Sequence, residues 1–389
     1  MALVCGFALS QAFRTVTAMM AEGLQHDFGL SAQALGVFAG TFAFAFGLSQ
    51  FAMGVALDFY GLRRTILTAF PLTIVGATVS ALAPSYGVLL LGQALIGIGC
   101  SPAFVVCTLF IARRFPAKRF AAVSGLALGF GGVGLLLTGT PLAWLIHLSS
   151  WRVGFGVLAG LAAVAWTLIR WQLHEGPVAA HHRPASLGHA LRGFGALFLL
   201  PQTWGIMALA LVSYASFLTL RGLWLGPMLM QRHGFTLLQT GNVALLVSTL
   251  SLFTPALFGH ADPGPARRRA WITGFALVNA GLFLMMALLP YAWLDIGGMV
   301  AISVLSGAGV LQYANVRSSY TADMTGRAMA VFTMAMFLGV AFVQSLSGWA
   351  ASQAQQYGLD PFAGVAASIA ALLGLGVWAF RFLPTSRPH

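Results

Sequence analysis

Charge is what this sequence has least of. Only 7% of its 389 residues are Asp, Glu, Lys or Arg, against about 25% in an ordinary soluble domain. With 20 basic and 8 acidic side chains, a soluble fold of this length could not clothe its surface. That excludes an ordinary cytosolic enzyme, a disordered chain and a nucleic-acid binder. Cysteine is also scarce: Cys5, Cys100 and Cys107 lie in apolar stretches without CxxC or Cys/His ligand spacing, so neither a disulfide framework nor a structural zinc site is expected. The sequence lacks GxxxxGK[ST], GxSxG and HExxH, and its GxGxxG-like glycines fall inside an apolar run with no preceding strand. No nucleotide, catalytic or cofactor chemistry is therefore expected, and any work must draw on a gradient or an exchanged solute.

What is present is apolar. Hydrophobic residues make up 59% of the chain, with 46 Gly and 30 Phe, and the mean hydropathy is +0.86. These values predict an all-α integral membrane protein, in which glycines let helices pack closely. A span needs about 20 apolar residues. Runs of that kind fall at 2–24, 32–57, 66–83, 85–112, 120–146 and 151–172, then at 201–230, 237–259, 270–290, 293–316, 328–351 and 361–382. The first carries Arg14 in its middle and no charge before it, so it is expected to be a retained helix and not a signal peptide.

Placing the N-terminus inside puts 16 of the 20 Lys and Arg residues on cytoplasmic segments and only Arg152 and Arg232 outside, with Arg14 and Arg221 left within helices. The positive-inside rule thus predicts an even number of spans and two cytoplasmic termini. It also reads the net charge of +12 as a topology signal. The longest polar break, Gln172 to about Leu200, divides the spans six and six. The expected domains are therefore 1–172, a cytoplasmic linker 173–200, and 201–389. Four histidines in the linker have no Cys and only the single acid Glu175 beside them, so a solvated segment is expected there and not a metal site.

The chain repeats itself at an offset of 205 residues: Gly29 and Ser31 meet Gly234 and Thr236, Gly36 meets Gly241, Gly54 meets Gly259, and Arg63 and Arg64 meet Arg268 and Arg269. A six-helix unit repeated in parallel accounts for this, and such halves hold a substrate between them near the midplane. Within the repeat, Gly54, Asp58, Gly61, Arg63 and Arg64 form GVALDFYGLRR. From the residues alone this is a helix cap at Asp58, a tight reversal at Gly61 and charge anchors at Arg63 and Arg64.

This segment resembles the GxxxDxxGxRR loop between the second and third helices of the major facilitator superfamily. The second copy, GHADPGPARRR, keeps Gly259, Asp262 and Arg268 in degenerate form. The resemblance covers the whole chain and implies twelve transmembrane helices in two pseudo-symmetric six-helix halves that rock to give alternating access. It also implies that Asp58 pairs across the halves as a conformational latch. Phe59 stands where the family usually carries a basic residue.

Two arginines fall within helices. Arg14 lies twelve residues before His26, and Arg221 eleven before Arg232. Each is therefore roughly 17 Å inside the outer end of its helix. A buried arginine costs about 2.5–3.5 kcal/mol or more, and no acid in the sequence sits at that depth. Guanidinium groups bind carboxylate and phosphate bidentately, so the missing partner is expected to be a small anionic substrate. The pair is similar to the arginines on helices 1 and 7 of organophosphate/phosphate antiporters. Gln11 and Thr17 flank Arg14 at three residues either side; Tyr214 and Trp224 are placed on one stripe with Arg221. The family's helices 4 and 10 would add Gln93, four before Gly97, and Gln312 or Tyr313.

The leading expectation is a secondary carrier of an organic or inorganic anion, with a coupling ion or counter-anion. The expected setting is a monomer in the lipid bilayer of a bacterial inner membrane. Proton-coupled efflux of amphiphilic drugs is the alternative within transport, disfavoured because Phe130 replaces the proline of the Gly-Pro-x-x-Gly-Gly pattern on the fifth helix. A non-transporting sensor or assembly protein is the alternative outside it.

Overall fold

A computed structural model describes residues 1–114, 117–173, 195 and 197–383. Among them there are helices and no strand. Eleven helices are long and apolar enough to cross a membrane, and a twelfth span is a bent pair. The spans are α1 (Ala2–Phe13 and Thr17–Phe28), α2 (Ala32–Leu57), α3 (Phe59–Ala81), α4 (Tyr86–Ile111), α5 (Ala117–Leu137 and Thr140–Leu148) and α6 (Trp151–Gln172). The second six are α7 (Pro201–Arg232), α8 (Leu237–His260), α9 (Pro265–Leu288), α10 (Ala292–Ser319), α11 (Met324–Gln356) and α12 (Pro361–Phe382). The protein is thus a multi-pass membrane protein. The face on which α1 begins is called here the Met1 face, and the opposite one the far face. Of the 173–200 linker, residues 174–194, with the four histidines, lie outside the described residues.

The repeat is visible as paired devices. Gly29 and Gly234 both take positive φ, 62° and 69°, where a side chain would be strained. Ser31 and Thr236 then cap α2 and α8, accepting from Ala34 N and Gln239 N at 3.2 Å each. This capping satisfies donors that a helix start leaves open. Arg63 donates to the carbonyls of Leu173 (2.7 Å) and Arg170 (3.3 Å) at the end of α6. Arg269 does the same for Phe380 and Arg381 at the end of α12. Each half thus ties its third helix to the orphan carbonyls of its sixth.

Gly61 has φ 79° and breaks the helix in the first turn of α3. The matching reversal is made by Gly264, φ 82°, and not at Ala266, the register partner of Gly61. The sequence carried that signal in Pro263-Gly264-Pro265, which the 205-residue register passes over. Arg64 is exposed, and the side chain of Asp58 lies outside the described residues. Asp262 pairs within its own half, with Arg268 at 2.6 Å. That hydrogen bond, beside the Arg268 charge, holds the Asp262 carboxyl below the usual carboxylate range.

The two halves meet tightly at the far face. Gln231 donates to Gln25 at 2.9 Å, Gln33 N to Ser352 at 3.0 Å, and Thr140 to Asn242 at 2.7 Å. A Cβ added at Gly348 of α11 would come within 2.7 Å of the Ala32 carbonyl and 3.1 Å of Gly36 Cα on α2, so only glycine permits this crossing. The far end of α7 is fixed by charge. Arg232 pairs with Asp295 at 2.9 Å and with Asp360 at 2.7 Å, and His233 Nε2 lies 2.6 Å from the same Asp295 oxygen, the Asp295 side chain being fully buried.

Candidate substrate site

Opposite the sealed far face, a cavity of about 560 Å³ separates the halves towards the Met1 face. Gln50, Gly54 and Leu57 of α2, Val105 of α4, and Val331 and Met334 of α11 are among its lining residues. One helical turn deeper, Phe46 of α2 and Phe337 of α11 bring their rings to 4.2 Å across the halves. The guanidinium of Arg14 lies against both, its Cζ 4.8 Å from the Phe46 centroid and 4.7 Å from that of Phe337. Arg14 is thereby positioned just beyond the inner end of the cavity.

The backbone explains how an arginine fits there. The helix stops at Phe13 and restarts at Thr17 with a 48° bend, so Arg14 caps the first piece. Its Nη1 donates to Tyr214 and its Nη2 to Ser10, both at 3.4 Å. Nε is buried with no partner. The expected flank of Gln11 and Thr17 is interrupted by the same bend: Gln11 lies before it, with a buried, unpartnered Oε1, and Thr17 is buried beyond it.

Arg221 is completely buried and sits in a widened, π-helical turn, Leu220–Trp224. Its Nε donates to Ser248 of α8 at 2.8 Å. Nη2 crosses to the other half, to Leu135 O at 3.1 Å and Thr138 Oγ1 at 3.3 Å. Nη1 is unpartnered. The two arginines do stand at one level, because a Cβ at Gly222 would lie 2.7 Å from the Arg14 carbonyl. Thr15, next to Arg14, also bonds Thr138, at 2.6 Å. Their side chains diverge, however, and have no hydrogen-bond partner in common. Neither makes an ion pair with any described residue, and Glu22 is exposed.

The π-helical turn also breaks the expected stripe through Tyr214, Arg221 and Trp224, since its spacing differs from 3.6 residues per turn. Tyr214 turns to Arg14, whereas Trp224 is buried and donates to Ser347 of α11 at 2.9 Å. Gln93 is buried in α4 with Nε2 unpartnered. Gln312 faces a separate small cavity of about 60 Å³ inside the second half, which Tyr214 also lines. Tyr313 lies 3.4 Å from Met336 Sδ and edge-on to Phe332. Phe46, Phe337, Thr138 and Ser248 were not singled out from sequence: with 30 phenylalanines, none carries an individual signal. Among the described residues, no group of three His, Cys, Asp or Glu is placed to hold a metal.

Comparison with known proteins agrees with this architecture. A family model described as Major Facilitator Superfamily matches residues 2–344. The chain is 26% identical over 156 residues to a hexuronate transporter of Bacillus subtilis, covering 40% of this chain and 37% of that one. It is 27% identical over 168 residues to a D-galactonate transporter of Escherichia coli, covering 42% and 38%. The matched stretches therefore span less than two fifths of either relative, and both relatives are transporters and not enzymes. Over 98% of its length the chain superposes, with a TM-score of 0.73 and 17% identity, on 94% of an inward-facing bacterial homolog of the human lysosomal transporter Spinster.

Proposed function

The chain belongs to the Major Facilitator Superfamily, and from that premise we propose that it is a secondary transporter of a small anion, moved by rocking of halves 1–172 and 201–389 about Arg14 and Arg221. The observation that carries this reading is two arginines at one level inside the spans, without an acidic partner among the described residues. Such charges are expensive in a bilayer and mark substrate paths. Four buried polar atoms without a protein partner belong to the same expected site, in Gln11, Arg14, Gln93 and Arg221. Each costs about 1–3 kcal/mol unless something bonds it.

The two arginines have different parts. Arg14, behind the open cavity, makes first contact with the anion. Arg221 bridges the halves through Leu135 and Thr138 and exchanges those bonds for the anion as the halves move. The excess of Lys and Arg on the Met1 face supports a cytoplasmic Met1 face, and in this reading the cavity opens inward. The solutes for which the two relatives are named, a hexuronate and D-galactonate, are both carboxylates, which supports an organic anion.

The test is solute counterflow in proteoliposomes containing the full chain, screened with phosphate esters, carboxylates and sugar acids. Exchange of an anion that is lost in Arg14→Gln and in Arg221→Gln, with both variants monodisperse, is the expected result. Undiminished exchange by both overturns the reading.

A further inference from the structure

The cavity on the Met1 side of Arg14 has described walls of nearly one chemistry. Of the thirteen described residues that line it, only Gln50 and Arg327 have polar side chains. Neither is idle: Gln50 already donates to the Ser101 carbonyl at 3.3 Å, and Arg327 also has a partner. The remainder is Phe, Val, Leu, Met, Ala and Gly from both halves. The cation at the inner end is itself flanked by two phenyl rings. Its two terminal nitrogens make long bonds of 3.4 Å, and Nε makes none to protein. Nε with Nη2 is the side-on donor pair that a single carboxylate accepts.

A polyhydroxylated acid fits these walls poorly. Each hydroxyl left unpaired on burial lowers affinity about fivefold or more, and among the described lining residues only Gln50 and the already partnered Arg327 could bond one. An apolar body gains from the same walls, and about 560 Å³ is within the range that holds a small organic ligand. We infer that the substrate is an amphiphilic monocarboxylate, one carboxylate for Arg14 carried on a largely apolar aromatic or aliphatic body, and not a sugar acid. This rests on the proposed anion site and departs from the substrates named for the two relatives.

The test is equilibrium binding of radiolabelled phenylacetate to the purified full chain in detergent, competed by octanoate, D-glucuronate, D-galactonate and benzyl alcohol. Octanoate and phenylacetate are expected to compete about tenfold or more better than either sugar acid. Arg14→Gln should abolish phenylacetate binding. Met334→Gln, which adds an amide to the wall, should weaken phenylacetate without weakening D-glucuronate. Sugar acids competing equally well or better, with binding still dependent on Arg14, overturn the apolar substrate and leave the anion site standing. Benzyl alcohol competing as well as phenylacetate, with no effect of Arg14→Gln, overturns both. Absence of phenylacetate binding to monodisperse wild-type protein also overturns the inference.

Discussion

Replacing Gly348 by alanine should force the far face open. The added Cβ would sit 2.7 Å from the Ala32 carbonyl oxygen, 3.1 Å from Gly36 Cα and 3.2 Å from Gln33 Cα, all backbone atoms that cannot rotate away. Ordinary contact begins near 3.4 Å, so α2 and α11 must separate by several tenths of an ångström where Gln33 N also bonds Ser352. Overpacking of this kind costs about 1–3 kcal/mol, and only in the state where the two helices cross here. The equilibrium between far-closed and far-open states should therefore shift by roughly 5-fold to 150-fold. Spin labels on His26→Cys and Tyr357→Cys, both exposed on opposite halves, would report the separation by double electron–electron resonance, with exposed Cys5 replaced by serine. Gly156→Ala is the control, because nothing lies within 4 Å of its added Cβ. The variant should gain a longer-distance population that the control lacks. A distribution identical to that of the parent, in a monodisperse Gly348→Ala protein, refutes the claim that this crossing seals the far face.

Other consequences are independent of the substrate. Asp295→Ala removes the buried partner of Arg232 and His233 and should destabilise the protein by about 3–5 kcal/mol, seen as a fall in melting temperature in detergent; an unchanged value contradicts the reading. Gly61→Ala and Gly264→Ala, at φ 79° and 82°, should each cost about 1–3 kcal/mol, whereas Gly54→Ala, with open space at its Cβ, should be neutral in the same assay. Because the Asp262 carboxyl is held below its usual range by Arg268, its contribution is fully present above about pH 4 and is lost as pH falls through the lowered value. Asp262→Asn should therefore lessen the acid sensitivity of melting, and an unaltered pH profile would show that the pair contributes nothing.

How much of this could be read from residues alone depends on how local the physics is. The spans follow from apolar length, and the paired caps at Ser31 and Thr236 follow from short patterns that repeat at a fixed offset. Arg14 and Arg221 stood out because few charges were available to hide them, and their common depth survives in the approach of Gly222 to Arg14. Their side-chain directions were not legible. The bend at residues 14–16 and the π-helical turn at Leu220–Trp224 break the helical spacing on which both flanking stripes were drawn. Likewise the rings against Arg14 are set by the crossing of α2 and α11, a tertiary fact, and nothing near Phe46 or Phe337 in the chain announces it. The reversal at Gly264 was written in its prolines but lay two residues away from the repeat register.

In the proposed mechanism Arg14 supplies the charge an anion needs. Calorimetric titration of phenylacetate and of its neutral amide into the purified chain tests it most directly. Saturable heat is expected for the carboxylate and should disappear in Arg14→Gln, with the amide silent in both proteins. Equal binding of acid and amide, unaffected by the substitution, would contradict it.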